Sequence, residues 1–363
     1  MSTQTPSQDP RPAGAEEHLE NAIEQKDVAG LSQGQIVRRR FFRHRGAIVG
    51  LVVLGAVVLL AVSSVGIGPV PGWWGFSNAS GPVTNPGGAP TLSLPTWLGG
   101  EGFALGEHPF GQDEVGRDMF GAVMKGVQTS LMVIVVVGLV STLVGVTVGS
   151  LAGFYRGRLD TALMRTTDLV ITMPTIVIGA VIGKLAGGVS GLLFALALGL
   201  ILWPSLARLV RGEFLSLRER EFVDAARVAG ASSGRIIGKH ILPNAIGVII
   251  VSSTLLMSQA ILLEAALSYL GFGITRPEIS LGLLISEYQA AFATRPWLFW
   301  WPGLFIVLIA LCINFIGDGL RDAFDPRQKR IPSQRSMDRA AARAGTTVRP
   351  GDQTQDAGLG AGS

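Results

Sequence analysis

A chain of 363 residues with 15% charged and 48% hydrophobic side chains, against about 25% charged in an ordinary soluble domain, is composed for a lipid environment. Its net charge of +4 and pI near 9.6 do not mark a nucleic-acid binder, because Lys and Arg sit at the ends of apolar runs, as membrane topology requires. The single cysteine, Cys312, lies inside an apolar segment, which excludes a disulfide framework and a cysteine-based metal cluster.

Residues 1–37 are polar, rich in Gln, Glu, Ser and Pro, and without periodicity, so they predict a disordered tail. Arg38, Arg39, Arg40, Arg43 and Arg45 then lead into the first apolar run, which starts near Ala47 behind that tail. No signal peptide is apparent, and this run is expected to stay in the membrane as an anchor. A span needs about 20 apolar residues to cross about 30 Å. Six runs come close: about 46–65, 129–153, 168–186, 190–210, 245–266 and 299–318. The predicted fold is therefore an all-α polytopic membrane protein with six transmembrane helices.

Lys and Arg counts orient it. With the N-terminus inside, one side holds Arg38–Arg45, Arg156, Arg158, Arg165, Arg208, Arg211, Arg218, Arg220, Arg227, Arg235, Lys239 and a basic tail from Arg321 onward. The other side has Arg117, Lys125, Arg276 and Arg295, with Lys184 at a span end. The asymmetry predicts cytoplasmic N- and C-termini.

Between the spans, residues 66–107 carry Trp73, Trp74 and Trp97 among Gly and Pro, which predicts an irregular external loop resting partly at the membrane interface. Residues 111–128 predict a short helix capped by Asp113, leading into the second span. Residues 267–298, with Pro277 and Pro296, predict a loop with a short helical piece. The chain then divides into the tail 1–37, an N-terminal segment 38–128, a core 129–318 with a charged loop at 211–245, and a mostly disordered tail 319–363.

That charged loop is the most informative feature. Glu219 to Ala231 predicts a short helix stranded between spans four and five, with Ala225 and Ala226 permitting close backbone approach and Gly230 ending the helix. Glu221, Asp224 and Arg227 would fix register against a soluble partner. An ordinary solvated loop helix is the alternative. Elsewhere, Gly145, Gly149 and Gly153 form a small-residue ridge that packs either within the subunit or against a second one. Glu264 is the least easily dismissed intramembrane acid, with three readings open: a pair with a neighbouring subunit, a pathway position, or the interface. Ser252, Ser253, Thr254, Ser258 and Gln259 make span five polar. Thr254, Ser258 and Gln259 either line a pathway or hydrogen-bond between helices. Gly179 to Lys184 imitates a phosphate loop but has the wrong spacing and no following Ser or Thr. His18, His44, His108 and His240 form no ligand cluster, and no nucleophile–base pair is visible. No metal, cofactor or catalytic residue is expected.

Several segments together resemble the dipeptide/oligopeptide class of ABC-importer permeases. Asp224-Ala225-Ala226, three residues, Gly230, then Leu242-Pro243 is similar to that family's EAA loop. The Arg-rich start with Gly46-Ala-Ile-Val-Gly-Leu-Val-Val-Leu54 resembles its N-terminal segment, and His108-Pro-Phe-Gly-Gln-Asp-Glu-Val-Gly-Arg-Asp118 its external signature. Leu267-Ser-Tyr-Leu-Gly-Phe-Gly273 and Asn314 to Pro326 resemble later landmarks. Asp224 stands where the motif has Glu, and His240 where it has an aliphatic residue.

The resemblance implies a type I importer permease fold in a bacterial cytoplasmic membrane. It implies four partners besides lipid: a homologous second permease subunit, two cytoplasmic ATPase domains and an extracytoplasmic substrate-binding protein. Glu221, Asp224, Ala225, Ala226, Gly230, Leu242 and Pro243 would carry the ATPase coupling. Peptides are the implied cargo, with nickel chelates, glutathione or another small solute as alternatives. Outside this family, an ATP-independent transporter or channel would need buried acid or His relays, and a scaffold would need no pathway.

Overall fold

The computed structural model describes residues 33–75, 83, 86–93, 96, 102–186 and 190–324. Most of both predicted tails, Trp97 and much of the 66–107 loop lie outside the described residues. In chain order the helices are α1 (Gln33–Phe41), α2 (Arg45–Val65), α3 (Met119–Tyr155), α4 (Gly157–Thr172), α5 (Thr175–Ala186), α6 (Gly191–Leu202), α7 (Pro204–Arg218), α8 (Glu221–Val228), α9 (Ser233–Tyr269), α10 (Leu281–Tyr288) and α11 (Trp297–Phe324). A two-residue hairpin, β1 (Gly66–Ile67) with β2 (Val70–Pro71), follows α2.

Among the described residues, α2, α3, α9 and α11 are each long and apolar enough to cross a membrane. The third and fourth expected spans are not straight. The α4–α5 pair bends by 81° and the α6–α7 pair by 44°, and six spans result when each bent pair counts as one. The physical reason is proline. Pro174 and Pro204 lack the N–H that would continue the ladder, and Met173 before the first is forced into extended backbone at ψ 129°. Hydropathy alone ran through both breaks.

The expected 111–128 helix is also corrected. Residues 111–118 make turns, with φ of 82° at Gly111 and 74° at Gly116. Asp113 accepts from the Val115 and Arg117 amides at 3.0 and 2.8 Å, so its side chain holds a turn instead of a helix start. The true cap is Asp118. Its Oδ2 accepts from the Gly121 amide at 2.7 Å and from Trp74 Nε1 at 2.8 Å, and His108 Nδ1 lies 2.8 Å from Oδ1. From that cap α3 runs 37 residues, about 55 Å, well beyond the bilayer core. Asp113 is bonded instead to the Tyr288 hydroxyl at 3.0 Å. Burial first, then the Asp113 carboxylate, push the Tyr288 phenol far above its usual range, so it stays protonated and donates.

α3 is the centre of the bundle and packs on α2, α6, α7 and α9, while α11 packs on α2 and α9. First and last spans meet at glycines. A Cβ on Gly50 would lie 2.9 Å from the Cys312 carbonyl oxygen, and one on Gly319 would run into the Ala47 side chain. His44 caps α2 through Nδ1, 3.0 Å from the Ala47 amide, and turns Nε2 to Asp322 of α11 at 3.3 Å. The Gly145, Gly149 and Gly153 ridge is used inside the subunit. Cβ atoms there would meet Leu206, the Ala207 carbonyl oxygen at 2.5 Å, and Phe214 Cβ at 2.7 Å, all on α7.

Gly149→Val should therefore force α3 and α7 apart, costing about 1–3 kcal/mol. Gly55→Ala, where an added Cβ has no neighbour within 4 Å, should be neutral. Thermal midpoints of the purified protein compare the two.

Candidate functional site

α7 delivers the chain to α8 across Glu219 and Arg220. Glu221 and Asp224 place negative charge in the first turn of α8, where the helix dipole favours it. Val223 and Ala226, three apart, point inward into a cluster with Phe154, Val210, Phe214, Ile236, Ile241 and Ala245. The helix ends in a Schellman motif. The Ala231 amide bonds the Ala226 carbonyl and the Gly230 amide the Arg227 carbonyl, both near 3 Å, with Gly230 at φ 77°. Gly230 is there for its backbone.

The outer surface of α8 consists of Glu221, Phe222, Asp224, Ala225, Arg227 and Val228. Phe222 is 39% exposed and Val228 90%, with the Asp224–Arg227 pair at 2.7 Å on the same surface. Of the alanine pair singled out in the sequence, only Ala225 is available to a partner, since Ala226 is spent on the internal cluster. Phe222 and Val228 were missed. Half-buried Leu242 packs against the same cluster, and exposed Pro243 opens the α-helical part of the next span. Just before it, Ile236–Ile241 widens to a π-helix, a local answer to a residue that cannot donate to Lys239.

The backing of α8 is braced. Arg218 donates to the Phe154 carbonyl at 2.7 Å, and Arg156 pairs with Glu219 at 2.6 Å. Arg211 grips Asp160 through two bonds of 2.6 and 2.7 Å, and Arg208 meets Asp168 at 2.5 Å, clasping α4 to α7. The exposed pairs, Arg156–Glu219 and Arg208–Asp168, add at most about 1 kcal/mol each, so they orient more than they stabilise. The sequence signal was Arg208 and Arg211 three apart, matched by acids eight apart on α4.

The residues expected along a pathway divide. Ser258 is buried and donates to the Ala310 carbonyl of α11 at 3.3 Å, and Thr254 lies against Gly317 of α11 while bonding back to the Ile250 carbonyl. Both face a neighbouring helix. Gln259 lies exposed on α9. Glu264 is neither interfacial nor turned toward a neighbouring subunit: it is fully buried, hydrogen-bonded by Ser130 and Ser268. The glycines that mimic a phosphate loop form a seat. Gly179 receives Leu267, and a Cβ on Gly183 would collide with the Phe272 carbonyl. Leu267 to Gly273 is itself a second Schellman motif, with Gly271 at φ 80° and the Phe272 amide on the Leu267 carbonyl at 2.8 Å.

The family model described as "Binding-protein-dependent transport system inner membrane component" matches residues 145–330, and "N-terminal TM domain of oligopeptide transport permease C" matches 32–71. The chain belongs to the binding-protein-dependent transport permeases. It is 36% identical over 313 residues to the oligopeptide transport system permease protein OppC of Escherichia coli K12, covering 86% of this chain and 97% of that protein. To OppC of Haemophilus influenzae it is 34% identical, covering 86% and 94%, and to OppC of Mycobacterium tuberculosis H37Rv 35%, covering 83% and 97%. A chain of the inward-facing MetNI methionine ABC transporter aligns with 57% of this one and 98% of its own length, at 21% identity and a TM-score of 0.47. The assignment rests on the sequence matches. This permease places α8 and its whole backing inside the matched region.

Gly230→Ala should destabilise the end of α8 by about 1–2 kcal/mol, because a Cβ is disfavoured at positive φ. Amide hydrogen exchange over 221–231 should quicken, with exchange in α3 unchanged.

Proposed function

We propose that this permease is the transmembrane subunit of an ATP-driven importer that carries oligopeptides across a bacterial cytoplasmic membrane, driven through α8. The observation that carries the reading is a short helix, rigidly backed on one side and exposing Phe222, Ala225 and Val228 among charges on the other. It sits between two spans, in the segment that resembles the family's EAA loop. Nothing among the described residues covers Val228, and Phe222 beside it is partly exposed. An exposed apolar surface rimmed by charge suits a protein partner.

The partners are a homologous second permease, two cytoplasmic ATPase domains and an extracytoplasmic binding protein. The end carrying α8 also carries Arg156, Arg158, Arg208, Arg211, Arg218, Arg220 and Arg227, which supports a cytoplasmic placement for it and for both termini. ATP binding closes the ATPase pair and displaces α8. Val223 and Ala226 hand that motion to α7 and α9, and the glycine ridge hands it from α7 to α3. The spans rock to receive substrate from the binding protein, and hydrolysis resets them. α8 must contact the ATPase differently in the two states, or nothing couples. The chain performs no covalent chemistry. Gln259 is the residue of α9 offered to the pathway, and the exposed apolar flanks of α2 and α3 face lipid or the second permease.

Ala225→Arg and Val228→Asp should leave membrane insertion intact and reduce ATPase co-purification and uptake at least about tenfold, since an unmatched charge buried at a docked surface costs several kcal/mol. Normal co-purification with normal uptake would remove α8 from the coupling role. Uptake that persists with hydrolysis-deficient ATPases would instead favour an ATP-independent transporter. Mass spectrometry of the ligand held by the partnering binding protein should find peptides, and a nickel chelate there would overturn the cargo.

A further inference from the structure

Glu264 sits near the end of α9 remote from α8, with no exposed surface. Ser268 donates to its Oε1 at 2.8 Å and Ser130 of α3 donates to its Oε2 at 3.1 Å. The hydroxyl of Ser280, which caps α10, lies beside the same carboxyl. Each serine oxygen already accepts a backbone amide: Leu281 on Ser130 at 3.4 Å, Ile274 on Ser268 at 3.2 Å, and Leu283 on Ser280 at 3.2 Å. A hydroxyl committed in that way has its one proton left to give. Two donors therefore meet Glu264, one on each oxygen, and a group accepting on both of its terminal atoms satisfies them, whereas an amide accepts on one.

Burying a carboxylate is costly, and an apolar side chain of the same volume would hold three helices together at less expense. What the carboxylate adds is direction. It fixes α9 to α3 and to the start of α10 in one arrangement. α10 is joined in turn to the 111–118 turn by Tyr288 and Asp113, and to the 270–280 segment by the two-bond Arg276–Glu287 pair at 2.7 Å. α9 itself runs unbroken for 37 residues from Ser233, next to α8, to Tyr269, a rod of about 55 Å. A displacement applied at α8 thus reaches the serine cluster along a single helix.

We propose that Glu264 is a positioning residue of the transport cycle. By binding Ser130 and Ser268, with the Leu281 amide of α10 held on the Ser130 hydroxyl, it makes the far ends of α9 and α3 and the α10 segment move as one body, so that events at that end are felt at α8. This rests on the importer reading above.

The test uses the complete complex, with second permease, ATPases and binding protein, in lipid nanodiscs. Basal hydrolysis and its stimulation by substrate-loaded binding protein are read per assembled complex, beside the thermal midpoint. Glu264→Gln should leave assembly and basal hydrolysis near wild type and cut stimulation about tenfold, a usual size for coupling between sites. Ser130→Ala should act in the same direction with smaller amplitude, and the double variant should be no worse than Glu264→Gln alone, because both remove one interaction. Wild-type stimulation per complex in Glu264→Gln, with or without a lower midpoint, overturns the proposal, as does simple additivity of the two substitutions. Should Glu264→Gln fail to assemble, Ser130→Ala and Ser268→Ala carry the same comparison, and full stimulation in both overturns it. Failure of the wild-type chain to bind the ATPases would sink the importer reading instead, which keeps the two separable.

Discussion

The approach of α3 to α7 is the constraint on which the rest of the structure depends. Lipid chains are as apolar as leucine, so helices in a bilayer associate through close packing and not through escape from solvent. Gly145, Gly149 and Gly153 open a groove along α3 into which Leu206, Ala207, Val210 and Phe214 fit. That contact fixes α7, and α7 presents the inner wall against which Val223 and Ala226 of α8 pack. The bend at Pro204 lets one apolar run serve as membrane span above and as backing for α8 below. Rigidity at α8 is thus inherited from glycines one helix away.

A second theme is how the helix ends are satisfied. Backbone groups at helix ends need partners, which water cannot supply inside a bilayer, and the segments that resemble family signatures are largely devices for closing helices. Gly230 and Gly271 each end a helix at positive φ, Asp118 opens α3 while gathering His108 and Trp74, and Ser280 opens α10. Glu278 reaches across to the first amide of α6 at 2.7 Å, and Gln128 of α3 takes the Ala61 and Gly66 carbonyls at the end of α2, both at 2.8 Å. Such residues look functional in a sequence because they are polar and oddly placed. Their chemistry is local, yet it decides where the long helices start and therefore what their exposed faces meet.

Legibility in the sequence followed the range of the interaction involved. The long apolar runs announced α2, α3, α9 and α11, since membrane burial is read residue by residue along one segment. The breaks at Pro174 and Pro204 were missed because a hydropathy window averages over a residue that alters backbone geometry at one point. Asp113 was preferred to Asp118 as a cap because both are acids lying a few residues ahead of the same apolar stretch. Only the positions of His108, Trp74 and Tyr288 show which carboxylate holds a helix and which a turn. In Glu221–Val228, apolar residues occupy nearly every side of two turns, so periodicity could not say that Ala226 faces in while Phe222 and Val228 face out.

What the sequence by itself determined is what depends on composition and nearest neighbours. That covers residence in a membrane, a helical fold, the charged helix between two spans, and Gly230, which ends it. The tertiary structure decided everything that needs two distant segments to meet. It turned the Gly145–Gly153 ridge inward, paired Ser258 with α11, made Gly179 and Gly183 a seat for the 267–273 turn, and buried Glu264 on the hydroxyls of Ser130 and Ser268. Side-chain orientation on a helix is set by which neighbour offers a groove or a hydrogen-bond partner, and those neighbours lie about 50 to 150 residues away along the chain.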